Sequence, residues 1–302
     1  MHAKFLIIVA GPTAIGKTSL AINLAKHFKT EILGADSRQI YREMVIGTAV
    51  PVANQLTEIK HYFIGHKSIC DYYNASMYEL EAMELLEKLF RQYDVVILTG
   101  GSGMYIEAVC KGIDEFPTVD PKIRERLRNV YWLTGIEGIR AKLQQTDPEY
   151  YKKVDLNNPL RILKALEIAE MTGKPYSSFL TGMSKPRGFN IIRVGLDMPR
   201  KELHNRINQR VDEMMKRGLV EEARSLYAYR HCNALNTVGY KELFDFFDGK
   251  CTLQEAVELI KGHTRQYARR QLTWFHRDKK MQWFRPDEGD VILAYIHRKI
   301  EQ

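Results

Sequence analysis

The stretch Gly11-Pro12-Thr13-Ala14-Ile15-Gly16-Lys17-Thr18 has the residue types and spacing to hold a chain of phosphates. Glycines at both ends let the backbone curl so that successive N–H groups point inward at an anion, and a following helix adds its positive N-terminus. Lys17 is placed to reach a terminal phosphate, and the Thr18 hydroxyl to ligate Mg²⁺. A chance glycine-rich turn ahead of a helix is the plain alternative. The flanks are those the loop needs, with the apolar run Phe5-Leu6-Ile7-Ile8-Val9-Ala10 before it and the amphipathic Ser19-Leu20-Ala21-Ile22-Asn23-Leu24-Ala25 after it. Read alone, the loop announces a nucleoside-triphosphate site.

Three further groups have chemistry to offer. Asp36 ends the short run Glu31-Ile32-Leu33-Gly34-Ala35, and in parallel sheets ligands gather at the carboxyl ends of strands. A carboxylate there serves as a general base, or equally as an N-cap for the segment Ser37-Arg38-Gln39-Ile40-Tyr41. Arg206 and Arg210, four apart on a long helical segment, share a face and could meet one anion or pair with surface acids. Between Lys261 and Arg285 basic residues dominate, with Asp278 the only acid, and Tyr267, Trp274, Phe275, Trp283 and Phe284 lie among them. Basic and aromatic residues on one element are the mark of a nucleic-acid surface. A helix packed by its aromatics with solvated arginines outside is the alternative.

The elements that must position these groups alternate between strand and helix. Strand runs are expected at Phe5-Ala10, Glu31-Asp36, His61-Ile64, Val95-Leu98 and Ile191-Leu196, and Met77 to Arg91 carries a clear helical period. The continuous apolar run Val95-Val96-Ile97-Leu98 reads as a central parallel strand covered on both faces. These features predict an α/β fold, a doubly wound parallel sheet flanked by helices. Val95-Leu98 leads into Thr99-Gly100-Gly101-Ser102-Gly103, where an ATPase or GTPase often has a Mg²⁺-holding Asp, and no N-K-x-D guanine-reading segment occurs. Nucleotide hydrolysis is thereby disfavoured.

From Pro117 to Pro186 the pattern turns helical, with helices expected at Pro121-Tyr131, Ile136-Gln145 and Pro159-Met171, and with caps or breaks at Thr118, Gly135 and Gly173. The expected organisation is a first part of the core at 1–117, an all-helical insertion domain at 118–186, and core completion with basic C-terminal helices at 187–302. Pro199 to Tyr229 reads as helix broken near Gly218, Thr237-Val238-Gly239 opens another, and a last long helix spans Leu253 to Phe275. Arg124, Arg126, Arg128 and Arg161 in the insertion read equally well as solvated helix faces.

A chain of 302 residues, 45% hydrophobic, can bury one large core or a core plus a satellite domain. Its formal charge of +8 tilts toward a polyanionic partner. Cys70, Cys110, Cys232 and Cys251 are far apart with no C-x-x-C pattern, so free thiols in a reducing cytoplasm are expected, not a zinc site. The N-terminal apolar run is too short for a signal peptide and no run approaches a membrane span, which predicts a soluble cytoplasmic protein.

Taken in order, these motifs resemble the tRNA dimethylallyltransferases, the tRNA isopentenyl-diphosphate transferase family, in their bacterial form. The likeness rests on Gly11 to Thr18, Asp36-Ser37-Arg38-Gln39-Ile40-Tyr41 and Ile46-Gly47-Thr48-Ala49. It continues through Gly100-Gly101-Ser102-Gly103-Met104-Tyr105-Ile106, Arg161 to Glu167, Val238-Gly239-Tyr240-Lys241 and Arg265 to Trp274. The resemblance implies transfer of a dimethylallyl group from dimethylallyl diphosphate to N6 of the adenosine immediately 3′ of the anticodon, in tRNAs reading codons that begin with U. It implies a P-loop kinase-like parallel sheet flanked by helices, carrying a small all-helical insertion domain, and that Asp36 is the general base, with Thr13, Lys17 and Ser102 at the reacting centre. Gly11 to Thr18 with Arg206 or Arg210 would hold the diphosphate, and Mg²⁺ would sit on Thr18. It further implies that Asp36 to Gln39, Ser102, Arg124, Leu160, Arg161, Lys164, Val238 to Lys241, Arg265, Arg269 and Arg270 contact the tRNA anticodon stem-loop, and a monomer is the default. Adenylate isopentenyltransferases share the core but use a free nucleotide, and small-molecule P-loop kinases share the loop. The helical insertion and basic C-terminal helix speak against the first, and the second is told apart by its need for phosphoryl transfer from ATP. Departures from the family pattern are Ser102 for Thr, Val50 for Lys, Lys164 for Arg, and Gly65-His66 where an Asp-containing segment is usual.

Overall fold

Every residue of strand β1 (Phe5–Ala10) is buried, and its side chains alternate between two cores. Leu6, Ile8 and Ala10 join one and Phe5, Ile7 and Val9 the other, as the two-residue strand period requires. The computed structural model describes residues 3–114, 116, 117 and 119–302. Within it β1 shares a six-stranded sheet with β2 (Ile32–Gly34), β3 (His61–Tyr62), β4 (Val95–Gly100), β5 (Asn190–Leu196) and β6 (Gln282–Phe284). All pairings are parallel and the strand order is β3-β2-β4-β1-β5-β6. Parallel strands require crossovers, and helices supply them and cover both faces.

The first four helices are α1 (Lys17–His27), α2 (Ala53–Glu58), α3 (Ala75–Phe90) and α4 (Gly103–Lys111). α1 begins where Gly16 takes a left-handed conformation (φ 107°), and α3 where the Asn74 side chain accepts from the Ser76 and Met77 amides. The chain divides into two compact units, one running to Cys110 and resuming at Pro186, the other Lys111–Lys185. The second unit is helical, with α5 (Pro121–Thr146), α6 (Pro148–Tyr151) and α7 (Pro159–Thr172) around a core of Leu127, Ile139, Leu143, Ile162 and Leu166. α5 kinks where Gly135 leaves helical geometry (φ 66°, ψ −167°), at the residue read as a break. Thr118, expected as a cap, lies outside the described residues; Asp120 caps α5 by accepting from the Lys122 amide.

Back in the first unit, α8 (Arg200–Lys216) and α9 (Leu219–Leu226) are separated by left-handed Gly218, and α10 (Tyr240–Phe247), α11 (Leu253–Phe275) and α12 (Gly289–Ile300) complete the fold. β6 corrects the sequence reading. Trp283 and Phe284, counted among the aromatics of a nucleic-acid surface, pair with Gly195 and Leu196 as a sheet edge. Trp283 also stacks on His276 with ring centroids 4.1 Å apart. Phe275 is likewise buried. Among the described residues no helix is long and apolar enough to cross a membrane.

Candidate active site

The register of the sheet brings the two glycine turns and Asp36 to one edge. Ala10 pairs with Gly100 and Gly34 with Thr99, so the loops after β1, β2 and β4 emerge side by side. The Ala35 amide donates to the Thr99 carbonyl at 2.7 Å, and the Ser102 amide to the Ala35 carbonyl at 3.1 Å. The close approach depends on Gly100, where a Cβ would lie 2.0 Å from the Ala35 oxygen.

Asp36 caps the turn that follows it and also faces the cavity. Its Oδ1 accepts from the backbone amides of Arg38 (2.9 Å) and Gln39 (3.3 Å), capping the turn, and its carboxylate still borders a cavity shared with Thr13, Lys17, Thr18, Thr99 and Arg210. The turn is tied down from several sides. Gln39 donates through Nε2 to the carbonyls of Thr48 (3.0 Å) and Ala49 (3.1 Å), and its own carbonyl accepts from the Gly65 amide at 2.9 Å. Gly65-His66, which had no account from sequence, thus braces this turn, Gly65 with a φ of 60° and His66 set beside Glu81. The Ser102 hydroxyl accepts from the Ser37 amide at 2.9 Å and donates to the Ser37 hydroxyl at 3.1 Å.

The phosphate loop keeps its cation close. Lys17 Nζ donates to the Pro12 carbonyl at 2.6 Å. Burial, aided by the positive charge of Arg210 and opposed by Asp36, pulls the ammonium down to about 7. The two arginines separate in space. Arg210 is half-buried and lines the cavity, reaching the Thr48 carbonyl at 3.5 Å, whereas exposed Arg206 reaches the Ile15 carbonyl at 3.4 Å on the loop itself. Part of the cavity wall is apolar, formed by Ile207, Val211, Met214, Leu219, Val238 and Ile260, and it alternates with polar Gln39, Thr237 and Thr264.

A second cavity opens on the far side of Arg38, Tyr267 and Gln271, which border both. Ser102, Tyr105, Arg270 and Trp274 line it. Burial and the Asp36 carboxylate push the Tyr267 phenol up to about 12, so it remains a hydrogen-bond donor.

Two residues that sequence reasoning missed hold the walls. Glu222 of α9 accepts from the amides of Val45 (3.0 Å) and Ile46 (2.7 Å) through Oε2, and from the Gly47 amide (2.9 Å) and the Tyr240 hydroxyl (2.7 Å) through Oε1. Buried Gln271 of α11 joins the two glycine turns. No local pattern marks Glu222, and Gln271 lies within the Arg265 to Trp274 motif without a role assigned there; each is an ordinary polar position on an amphipathic helix until its partners are known.

The expected RNA contacts divide. Tyr240 is a correction: it is fully buried and its hydroxyl is committed to Glu222, so its side chain packs the core. Gly239 is buried at the head of α10, its amide held by Glu242 at 2.7 Å, while Val238 borders the cavity and Lys241 is exposed. Arg265, Arg269 and Arg270 do not form one cluster. Arg270 reaches the second cavity and Arg269 is exposed, but Arg265 donates to Asn208 Oδ1 at 2.7 Å, toward α8. In the helical unit Arg161 and Leu160 are exposed, Lys164 lies over the Phe116 ring at 5.8 Å, and Arg124 pairs with Glu167 at 3.3 Å.

Comparison with known proteins agrees with this geometry. The model of a family described as IPP transferase matches residues 39–278. The chain is 52% identical over 301 residues, the full length of both, to a protein named tRNA dimethylallyltransferase 1 in Bacteroides fragilis. Its structure is similar to that of the tRNA isopentenylpyrophosphate transferase of Bacillus halodurans, with a TM-score of 0.73 and 33% identity over 99% of this chain and 97% of that one. It is also similar to a eukaryotic dimethylallyltransferase solved acting on tRNA, with a TM-score of 0.75 and 28% identity over 90% of this chain and 70% of that one.

Proposed function

The chain belongs to the IPP transferase family and transfers a dimethylallyl group to tRNA; we propose that the group comes from dimethylallyl diphosphate and is placed on N6 of the adenosine immediately 3′ of the anticodon, with Asp36 as general base. One observation carries this reading. The carboxylate of Asp36 and the cationic groups Lys17 and Arg210 border a single cavity that also has an apolar patch of Ile207, Val211, Met214 and Leu219, which suits a short prenyl chain ending in a diphosphate.

The chemistry follows from what each group can do. An exocyclic adenine amine is a weak nucleophile because its lone pair is delocalised into the ring. A carboxylate hydrogen-bonded to that amine takes its proton as the C–N bond forms. On the other side the allylic C–O bond breaks, and its electron pair leaves with the diphosphate. Loop N–H groups, Lys17 and Arg210 neutralise that charge where it develops. Arg206, bonded to the Ile15 carbonyl, acts on the shape of the loop. Thr13 and Ser102 offer hydroxyls on the two sides of the reacting centre.

A Mg²⁺ ion fits the donor set, since the Thr18 hydroxyl borders the cavity beside Lys17 and this hard ion takes few protein oxygens, with phosphate and water completing its shell. Bound there, it would supply further neutralisation of the leaving group. Among the described residues no cluster of three or more His, Cys, Asp or Glu side chains could hold a metal independently.

The target base leaves its stack to react. The second cavity, with Trp274 and Tyr105 for stacking and Arg270 for phosphate, is where it enters. On the helical unit itself, Arg124, Leu160, Arg161 and Lys164 are the proposed RNA contacts. The enzyme works as a monomer in the cytoplasm.

The test offers labelled dimethylallyl diphosphate with unmodified tRNA, AMP or ATP, followed by mass spectrometry of nucleosides. Isopentenyladenosine in tRNA is expected. Labelling of AMP or ATP but not tRNA would overturn the substrate assignment, and phosphate transfer without a prenyl donor would point to a kinase.

A further inference from the structure

Gln271 sits where the two halves of the proposed reaction meet. Its side chain is buried, with 6% exposure, and borders both cavities. Oε1 accepts from the Thr13 amide at 2.9 Å, and Nε2 donates to the Gly101 carbonyl at 2.9 Å. That pairing fixes the amide orientation, because the reverse would face NH₂ against N–H and oxygen against oxygen. Thr13 belongs to the phosphate loop after β1, and Gly101 to the turn after β4 that leads into Ser102. The register between these strands ends at Ala10 and Gly100, one step short of Gly101. Beyond it the side chain of Gln271, reaching in from α11, ties one loop to the other. The fit is close: a Cβ on Gly101 would lie 2.2 Å from Nε2.

We propose that Gln271 is a positioning residue: its amide sets the separation between the phosphate loop and the Gly101-Ser102 turn, and so the line along which the allylic carbon passes from diphosphate to base. The proposal rests on the dimethylallyl-transfer reading. Gln271 need not touch either substrate, because it acts through Thr13 and Ser102. A glutamine suits this place where neither a carboxylate nor a lysine does. One partner is a donor and the other an acceptor, and a neutral amide of this length satisfies both without burying a charge.

The test uses the full chain as wild type, Gln271→Leu and Gln271→Glu. Single-turnover transfer is measured at saturating dimethylallyl diphosphate and tRNA, with tRNA affinity and thermal midpoint measured separately. Gln271→Leu is expected to lose about 100-fold in rate with tRNA affinity unchanged, the scale of a misplacement near 1 Å. Gln271→Glu is expected to recover toward wild type as the pH falls. Its protonated carboxyl then donates to the Gly101 carbonyl in place of the amide, and burial raises the pKa at which this occurs. A Leu variant as fast as wild type per folded molecule sinks the proposal. So does a Glu variant whose rate relative to wild type is flat with pH, a result that stands even if the Leu variant does not fold. A wild type that fails to prenylate tRNA would instead remove the functional reading beneath it.

Discussion

Replacing Glu222 with alanine should open the wall of the donor cavity without touching a reacting atom. The carboxylate accepts three backbone amides and one phenol, and the loop it holds carries Gly47, Thr48 and Ala49 into the cavity. Hydrogen bonds to a charged acceptor contribute about 1.5–3 kcal/mol each. The Val45 amide is exposed and finds water, and water entering the gap replaces part of the rest. Taking two bonds as unreplaced at the low end gives about 3 kcal/mol, which is about two orders of magnitude in the open-to-closed equilibrium of the loop. Contacts from Gln39 and Arg210 to the Thr48 carbonyl remain, so the loop loosens locally. Amide exchange at Ile46 and Gly47 should accelerate by about 100-fold, and the apparent affinity for dimethylallyl diphosphate should weaken by up to the same factor. Glu222→Gln should fall between, since one amide oxygen keeps some of the bonds while its NH₂ faces a remaining N–H. Exchange at Ile46 and Gly47 unchanged in the alanine variant, with donor affinity intact, would refute the reasoning.

Asp36→Ala should keep tRNA binding and lose prenyl transfer by about 10²–10⁴-fold, read by single-turnover assay; an unchanged rate removes Asp36 as the base. Lys17 gives binding of inorganic diphosphate a pH dependence. The anion raises a lysine that titrates at about 7 when free, so binding takes up a proton, and affinity is full below pH 7 and declines as pH rises above it. Calorimetric titration of wild type against Lys17→Met isolates this effect, because ionisation of the diphosphate is common to both. Gly100→Ala should destabilise the protein by several kcal/mol, on the order of 3 or more, because the new Cβ meets backbone that cannot rotate away. Thermal unfolding checks it, and a midpoint within a degree or so of wild type would contradict the close approach of β4 to Ala35.

What was legible in the sequence was local. The phosphate loop declares itself because its glycines, Lys17 and Thr18 are contiguous, and the strand and helix beside it repeat with the periods their burial demands. Gly135 and Gly218 mark breaks for the same reason, since the conformations they adopt are ones other residues resist. Asp36 stands at a strand end, where local signal weighs capping and chemistry evenly and only the family resemblance favours chemistry; the turn adds that its carboxylate caps while facing the cavity.

Other features depend on pairings far apart in the chain. β6 is three residues set among charges, and it becomes a strand only because β5 offers it an edge. Arg206 and Arg210 look equivalent on a helical wheel; the angle at which α8 meets the phosphate loop sends one to the cavity and the other to the Ile15 carbonyl. Tyr240 sits in a motif read as RNA-facing, and its burial was decided by Glu222 on another helix. The sequence by itself determined the alternation of strands and helices, the phosphate loop and the residue types of the chemistry. Tertiary structure alone decided which polar side chains meet. A hydrogen bond constrains donor and acceptor within a few tenths of an ångström, and no spacing along the chain carries that information between elements that pack only after folding.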